Sequence, residues 1–350
     1  MKTIYEIVDS GNMDMSVIDK AGSIIRDGGL VAFPTETVYG LGGDALNPES
    51  SEKIYKAKGR PSDNPLIVHI SEFDSIYDIV RDVSAEARLL ADRYWPGPLT
   101  MIFDKKPVVP KETTGGLDTV AVRFPSHPVA RRFIEASGGF VAAPSANTSG
   151  RPSPTSGKHV LEDLNGKIEM IIDSGECNIG LESTIVDFTS DVPTILRPGF
   201  INEKMLNSVI GEVAKDPAVF GNSAIGCRPK APGMKYRHYA PKGIMTIVSG
   251  RDENVVAYIR KKISDRSPGE RIGVLACSKD ASEYAGADLV VDMGSADNEI
   301  EISSRLYDAL RRCDEEKIDV ICSEEFDTPD MGQAIMNRLL KAAGHNIINV

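Results

Sequence analysis

The amino-acid sequence predicts an α/β protein with two domains, a mixed sheet followed by a small, Rossmann-like parallel α/β domain. The chain has 350 residues, which exceeds the ~100–200 residues of a usual single domain. Before residue 205, many short apolar runs occur with few crossover helices, which is typical of a mixed sheet. After residue 243, strand-like and helix-like segments alternate, which favours parallel strands joined by helices.

The stretch 206–242 separates these two regions. It is rich in Gly and Pro and has little periodicity from residue 221 onward. Such a composition predicts a linker or a functional loop. We therefore expect a first domain at 10–205, a linker or lid loop at 206–242 and a second domain at 243–350.

Hydrophobic periodicity predicts the individual elements. A helix follows from the spacing of Ile18, Ala21 and Ile25, and Gly28-Gly29 ends it. In the first domain, strands are expected at 30–33, 66–70, 99–103, 119–124, 140–142, 170–172, 184–186 and 194–196, and further helices at 50–58, 72–80, 84–94 and 127–136. In the second, strands are expected at 244–248, 272–275, 289–291 and 318–321, and helices at 253–263, 300–313 and 331–343.

Composition narrows the class of protein. The net charge is −11, with −8 in residues 1–205 and −3 in 206–350, so a protein that grips nucleic acid mainly through its phosphates is not expected. The five cysteines form no CxxC pair, which argues against a zinc site and suits reduced thiols. The start lacks a signal-peptide pattern, and no apolar run approaches the ~18 residues of a membrane span. We expect a cytoplasmic protein without membrane contact.

Common nucleotide-binding motifs are absent from the sequence. Neither GxxxxGK[ST] nor GxGxxG occurs, and the glycines at 40, 42 and 43 predict only a tight turn after a strand. The preceding segment Pro34–Tyr39 carries hydroxyls and a carboxylate at a strand end, which suits ligand contact or simply a capped turn. Lys56, Lys58 and Arg60 suit phosphate binding, but they equally suit a solvated helix end.

Other polar residues lie at the ends of predicted strands. His69 interrupts an apolar strand and is as readily explained by a structural hydrogen bond. Arg123 could bind a carboxylate or be an exposed edge charge. The small, polar run 142–150 would let a ligand approach the backbone, or form an ordinary loop. The segment 230–238 combines aromatic and cationic residues, which suits a lid as well as a linker.

Taken in order, these segments resemble the YrdC-like threonylcarbamoyl-AMP synthases. The matching segments are PTETVYGLG, KAKGRPSDNPL, WPGPLT, VAVRFP, APSANTSGRPSPT, ESTIVD and LRPG. The later RPKAPGMKYRHYAP resembles the linker of the long, two-domain form, so the resemblance covers nearly all of 10–242. It implies a twisted mixed sheet with a concave, positively charged cavity in the first domain. Residues 243–350 fit by position and by their α/β pattern.

The resemblance also implies a function and a set of site residues. The enzyme would be a nucleotidyltransferase that forms threonylcarbamoyl-AMP and pyrophosphate from ATP, L-threonine and bicarbonate, with Mg²⁺ on the triphosphate and no metal held by protein residues. A separate tRNA threonylcarbamoyl-transferase complex would use the product on tRNAs that read codons starting with A, without stable nucleic-acid binding by this chain. Catalytic roles would fall to Lys56 and Arg60. The resemblance assigns L-threonine to Thr37, His69, Arg123, Ala143 and Ser183, and ATP to Arg60, Asn64, Thr119, Ser145, Asn147, Ser153, Arg197, Tyr236 and His238.

Two other functions are compatible with parts of this pattern. Carbamoyltransferases of hydrogenase maturation or antibiotic synthesis share the domain, but they need carbamoyl phosphate and further domains that this chain lacks. The former also carry zinc-finger cysteines, which are missing here. A non-catalytic RNA-binding module would use the same cationic cavity, but the acidic net charge argues against it.

Overall fold

The computed structural model describes residues 2–217, 230 and 239–350. The described residues form two compact units, one of residues 2–149, 153–217 and 230, and the other of residues 150–152 and 239–350. The predicted bounds of the domains remain a prediction. A helix at Glu203–Ile210 spans the expected boundary between residues 205 and 206.

The first unit is built on an eleven-stranded mixed sheet. In sheet order the strands are β1-β8-β2-β3-β7-β4-β6-β5-β9-β10-β11, with parallel and antiparallel pairs interspersed. The strands are β1 (Ile4–Ile7), β2 (Val31–Phe33), β3 (Gly40–Asp44), β4 (Ile67–His69), β5 (Leu99–Asp104), β6 (Thr119–Arg123), β7 (Val141–Ala143), β8 (Met170–Asp173), β9 (Thr184–Asp187), β10 (Thr194–Arg197) and β11 (Ala214–Lys215). The prediction of a mixed sheet is confirmed.

Helices cover both faces of this sheet. They are α1 (Met15–Arg26), α2 (Pro48–Lys58), α3 (Ile76–Ile79), α4 (Ala85–Tyr94), α5 (Pro128–Ala136), α6 (Gly157–Leu164) and α7 (Glu203–Ile210). On one face, α1 and α5 bury a core against β2, β7 and β8. On the other, apolar residues of α2, α3, α4, α6 and α7 form the larger core.

Local sequence sets the ends of the helix that matters most for the site, α2. The side chain of Asn47 caps its first turn by accepting from the backbone N–H of Glu49 at 3.0 Å. Gly59 ends it in the left-handed conformation, with φ of 62°. The backbone N–H of Arg60 bonds the carbonyl of Tyr55 at 2.9 Å, so the position of Arg60 is fixed directly after the end of the helix.

The glycine segment after β2 is a strand, so the expectation of a tight turn was wrong. Gly40 and Gly42 belong to β3, which pairs with β2 and β7. A Cβ on Gly42 would lie 2.8 Å from Val141, and one on Gly40 would lie 2.9 Å from the Phe33 ring. These residues are glycines because neighbouring side chains fill the space above the strand, which is invisible in a hydrophobicity pattern.

The second unit has a five-stranded sheet of order β14-β13-β15-β12-β16, and all its pairs are parallel. Its elements are β12 (Ile244–Ser249), α8 (Asp252–Ser264), β13 (Ile272–Ala276), a 3₁₀ helix (Ala281–Tyr284), β14 (Leu289–Asp292), α9 (Glu299–Glu315), β15 (Val320–Glu324), α10 (Gly332–Ala342) and β16 (Ile347–Asn349). The predicted parallel α/β domain is confirmed. Across the two described units, no helix combines the length and apolarity needed to cross a membrane.

Candidate active site

A small apolar patch lies on one face of the first sheet, beside the core that α1 and α5 cover. It consists of Ile67, Ala121, Ile102, Ile185 and Leu196, on neighbouring strands. These are strand residues, and within the described part of the chain no helix residue belongs to the patch. Side chains alternate along a strand, so residues two positions along these strands project from the same face. Several of the polar residues predicted from the sequence lie at the two ends of this patch.

At one end, His69 and Arg123 are register partners on β4 and β6. Arg123 is 4% exposed and its Nη2 donates to Oε1 of Glu36 at 2.7 Å. Arg123 Nε is buried and has no hydrogen-bond partner among the described residues. An unsatisfied buried donor costs about 1–3 kcal/mol, so this edge of the guanidinium is suited to an incoming acceptor.

His69 is uncharged in this environment. Burial, and secondarily the nearby Arg123, lower the pKa of His69 to about 3. Its Nδ1 lies 3.0 Å from the carbonyl oxygen of Ile67, and its ring meets that of Phe33 edge to face. His69 is therefore held in place as a neutral ring next to the Arg123 cation.

At the same end, the Ser183 hydroxyl contacts two other side chains, those of Thr100 and Arg197. This hydroxyl lies 2.7 Å from Oγ1 of Thr100 and accepts from Nη2 of Arg197 at 3.1 Å. Arg197 Nε also donates to the Ser183 carbonyl at 3.0 Å. Thr100 is the register partner of Arg123, so the group continues across β5 and β6. Ser183, which the resemblance assigns to L-threonine, is thus in direct contact with Arg197, which it assigns to ATP.

The hydroxyl of Thr35 holds the loop that carries Thr37. Thr35 Oγ1 accepts from the backbone N–H groups of Thr37 and Val38, both at 3.2 Å, and lies 2.9 Å from Thr37 Oγ1. Backbone bonds then tie this loop to the loop after β7, from Tyr39 to Pro154 and from Ala146 to Tyr39. The loops around Thr37 and Ser145, which are about 110 residues apart in the sequence, are therefore neighbours in the structure.

The loop after β7 is anchored by Lys58. Lys58 is 3% exposed, and its Nζ donates to the carbonyl oxygens of Ser145 and Asn147. Ser145 Oγ donates to Oδ1 of Asn147 at 2.6 Å. In the same chain segment, Ser153 Oγ donates to Oε1 of the buried Glu182 at 2.6 Å. The lysine thereby fixes the position of two residues assigned to ATP.

The other end of the apolar patch contains Arg60, Asn64 and Thr119. Arg60 Nη2 donates to the Pro65 carbonyl at 3.2 Å, just before β4, and Thr119 begins β6. Asn64 is 1% exposed, and its Oδ1 has no hydrogen-bond partner among the described residues. Along β6, Thr119 and Arg123 are about 13 Å apart at the rise of an extended strand. Ala143, paired with Ile67, lies between the two ends.

Lys56 is placed differently from the other predicted residues. Its side chain is exposed and lines a groove of about 570 Å³ with Lys53, Lys58 and Lys167. No hydrogen bond or ion pair joins it to a described residue, and its catalytic role stays a prediction. Tyr236 and His238 lie outside the described residues, so their predicted contacts with ATP also stay predictions.

Lys58 was interpreted from the sequence as a phosphate-binding residue or part of a solvated helix end, but it is 3% exposed, so the solvated end is wrong for this residue. Two further buried residues of this region, Glu36 and Thr100, were assigned no role from the sequence. Their contacts run across the sheet or between loops, so local sequence carries little sign of them. For Lys58 the sequence did contain a sign of burial. Lys58 follows the buried Ile54 and Tyr55 by four and three positions, which places it on the inner side of α2.

Comparisons with known proteins agree with this architecture. The family model of the Sua5, YciO and YrdC proteins, described as telomere recombination, matches residues 23–199. The model described as the C-terminal domain of threonylcarbamoyl-AMP synthase matches residues 201–344. Together the two models cover nearly the whole chain.

Individual relatives are similar over their full length. The threonylcarbamoyl-AMP synthase of Pyrococcus abyssi is 48% identical over 94% of this chain and 95% of its own. That of Bacillus subtilis is 43% identical over 99% of this chain and 100% of its own. The crystal structure of P. abyssi Sua5 complexed with L-threonine has a TM-score of 0.93 at 47% identity, covering 99% of this chain and 100% of that one.

The two-domain α/β fold and its relatives define an enzyme of the nucleotidyltransferase type. The chain belongs to the threonylcarbamoyl-AMP synthase family, in the form with the additional C-terminal domain. The resemblance inferred from the sequence motifs is confirmed.

Proposed function

We propose that this chain forms threonylcarbamoyl-AMP and pyrophosphate from ATP, L-threonine and bicarbonate. The observation that carries the proposal is the arrangement of two polar groups at opposite ends of one apolar patch. One group contains a buried arginine with a spare donor, which suits the carboxylate of an amino acid. The other contains Arg60 and Asn64, which suit a nucleotide and its phosphates.

In the proposed complex, L-threonine lies at the end formed by His69, Arg123 and Ser183. Arg123 binds its carboxylate, and the Ser183 hydroxyl reads its side chain, with Thr37 and Ala143 beside it. ATP extends from Arg60 and Asn64 toward Arg197, so its α-phosphate approaches threonine. The similarity to a P. abyssi protein whose crystal structure contains L-threonine supports the amino-acid site.

The chemistry proposed for the site is mainly positioning and stabilisation of charge. After its ammonium group loses a proton, the threonine amine adds to CO₂ with loss of a second proton, or to bicarbonate with loss of water, and gives a carbamate. A carbamate oxygen then attacks the α-phosphorus of ATP, and pyrophosphate leaves. Arg197 already contacts Ser183, so a cation is fixed where the two substrates would meet.

Mg²⁺ is proposed to accompany ATP. The residues around Arg60 and Lys58 are cationic and amide groups, which suit phosphate oxygens better than a metal ion. In residues 2–217 and 239–350, no group of three or more His, Cys, Asp or Glu side chains could hold a metal. The metal would therefore be bound mainly by the triphosphate when it is present.

The product is proposed to serve tRNA modification in the cytoplasm. A separate complex would transfer the threonylcarbamoyl group to the adenosine next to the anticodon, in tRNAs that read codons starting with A. The acidic net charge of −11 is consistent with a reaction that requires no tightly bound tRNA.

Pyrophosphate release tests the proposal. The purified chain with ATP, Mg²⁺ and bicarbonate should release pyrophosphate only when L-threonine is added, and mass spectrometry should detect threonylcarbamoyl-AMP. Arg60→Ala should lower kcat/KM by at least about tenfold, because a charge-assisted hydrogen bond contributes ~1.5–3 kcal/mol. Pyrophosphate release independent of threonine, or turnover of carbamoyl phosphate in its place, would contradict the proposed reaction.

A further inference from the structure

The partner of Arg123 is a buried carboxylate that none of the assigned contacts includes. Glu36 lies in the loop between β2 and β3, and its side chain is 9% exposed. Its Oε1 accepts from Arg123 Nη2 at 2.7 Å, and its Oε2 accepts from the backbone N–H of Ser126 at 3.2 Å. The backbone N–H of Ile179 binds the Glu36 carbonyl, so both main chain and side chain of this residue are fixed.

Both members of this ion pair have unused hydrogen-bonding capacity. An ionised carboxylate has about four acceptor positions, and Glu36 uses two of them with described residues. Arg123 Nε is a buried donor without a described partner. Buried polar groups are normally satisfied, so spare donors and acceptors next to each other point to a ligand that supplies both kinds of group.

The charged groups described at this end of the patch are Glu36, Arg123 and Arg197, the last in contact with Ser183. Burial lowers the pKa of His69 to about 3 and raises the pKa of the Cys177 thiol, so both are neutral at pH 7. Burial also lowers the pKa of His127, against the opposing effect of Glu36. Ligand charge is therefore matched against one anion, Glu36, and the two cations Arg123 and Arg197.

We propose that Glu36 and Arg123 together recognise the zwitterionic end of an α-amino acid, with Arg123 on the carboxylate and Glu36 on the ammonium group. A carboxylate ligand without an ammonium group would meet the attraction of Arg123 and the repulsion of Glu36 together. A zwitterion places its positive group against Glu36 and avoids that repulsion. Glu36 thus becomes a specificity-determining residue, and this inference rests on the proposed binding of threonine at Arg123.

Binding measurements with two ligands test this role. L-threonine and 3-hydroxybutyrate share the carboxylate and the hydroxyl, but only threonine has the amino group. Calorimetry on the full chain should show that threonine binds at least about tenfold more tightly. In Glu36→Gln, threonine should bind more weakly and 3-hydroxybutyrate more tightly, so their affinity ratio should fall at least about tenfold.

Two further variants separate recognition from folding. Glu36→Asp keeps the charge and should preserve most of the selectivity. Glu135→Gln breaks the exposed pair with Arg132 on α5 and serves as the matched control, with both affinities unchanged. If Glu36→Gln only disturbed the structure, both ligands would bind more weakly by a similar factor, because such a disturbance does not depend on the amino group of the ligand.

An unchanged affinity ratio in Glu36→Gln, or a wild-type chain that does not distinguish the two ligands, would overturn the inference. Product formation is measured separately by the pyrophosphate assay. A wild-type chain that binds threonine selectively but forms no threonylcarbamoyl-AMP would refute the proposed reaction and leave the role of Glu36 standing.

Discussion

Replacing Lys58 with methionine should disable the candidate ATP site while leaving the fold in place. Methionine keeps the apolar stem and removes the ammonium group, which donates to the carbonyl oxygens of Ser145 and Asn147. Lys58 is 3% exposed, so water cannot readily replace the lost donor. The loop with two predicted ATP contacts then loses its side-chain attachment to α2 and keeps only the backbone bond from the Ser149 N–H to the Lys58 carbonyl among the described contacts.

The size of this effect follows from the two lost contacts. A buried carbonyl left without a partner costs about 1–3 kcal/mol, so two of them cost ~2–4 kcal/mol after partial relaxation of the loop. Since each ~1.4 kcal/mol is a factor of ten, kcat/KM for ATP should fall by about 30-fold or more. Pyrophosphate release at varied ATP concentration measures this, and thermal unfolding shows whether the chain remains folded.

Lys20→Met is the matched control, because Lys20 lies on α1 with a side chain that is 49% exposed and has no predicted role in the site. Its kcat/KM should stay within about twofold of wild type, since exposed charges contribute ~0–1 kcal/mol. Full activity of Lys58→Met would refute the anchoring argument. Lys56→Met is a separate test of the catalytic role that the resemblance implies for Lys56, and a large loss of kcat/KM is the result expected from that role.

Three further changes test other parts of the site. Gly199→Ala should lower both melting temperature and activity, because its Cβ would lie 2.5 Å from the backbone nitrogen of Thr184. Thr100→Val should raise KM for L-threonine about three- to tenfold in the pyrophosphate assay, since it removes one of the two described partners of the Ser183 hydroxyl with little change in size. The free energy of unfolding measured in urea should fall as the pH drops below 6.5. The reason is that His69 takes up a proton in the unfolded chain, whereas folded His69, with a pKa of about 3, does not. At pH 5 this residue alone accounts for about 2 kcal/mol, and His69→Gln should flatten that part of the profile.

Most of the central strands and longer helices could be predicted from the sequence because their apolar residues follow a regular period. The strands β4, β5 and β6 and the helix α5 lie where the periodicity placed them. The strand β3 was missed because its glycines carry no hydrophobic signal. The helices α6 and α7 were also missed; α7 lies at the start of a segment interpreted as a linker.

The chain segments that form the candidate site could be predicted from the sequence, but the contacts between those segments could not. Motif order identified the loops around Thr37, Ser145 and Ser183, whereas sequence alone does not show that Ser183 contacts Arg197 or that Glu36 contacts Arg123. Such contacts depend on which strands are neighbours in the sheet, and that order is not sequential. Short-range patterns predict elements, and the pairing of distant strands decides which residues meet.

The charge of the whole chain is a poor guide to its site, because the important cations are buried. The chain is acidic by 11 charges, yet Lys58, Arg123 and Arg197 are 3%, 4% and 5% exposed. Each is held by carbonyl, carboxylate or hydroxyl groups of other loops and strands, so its direction is set before any ligand arrives. Burying a cation is unfavourable for stability, and three buried cations in contact with predicted substrate-binding residues or with Glu36 are difficult to explain by folding alone. Fixed cations that need no rearrangement are what a reaction between an amino acid and a triphosphate requires, since its transition state develops negative charge on phosphoryl oxygens.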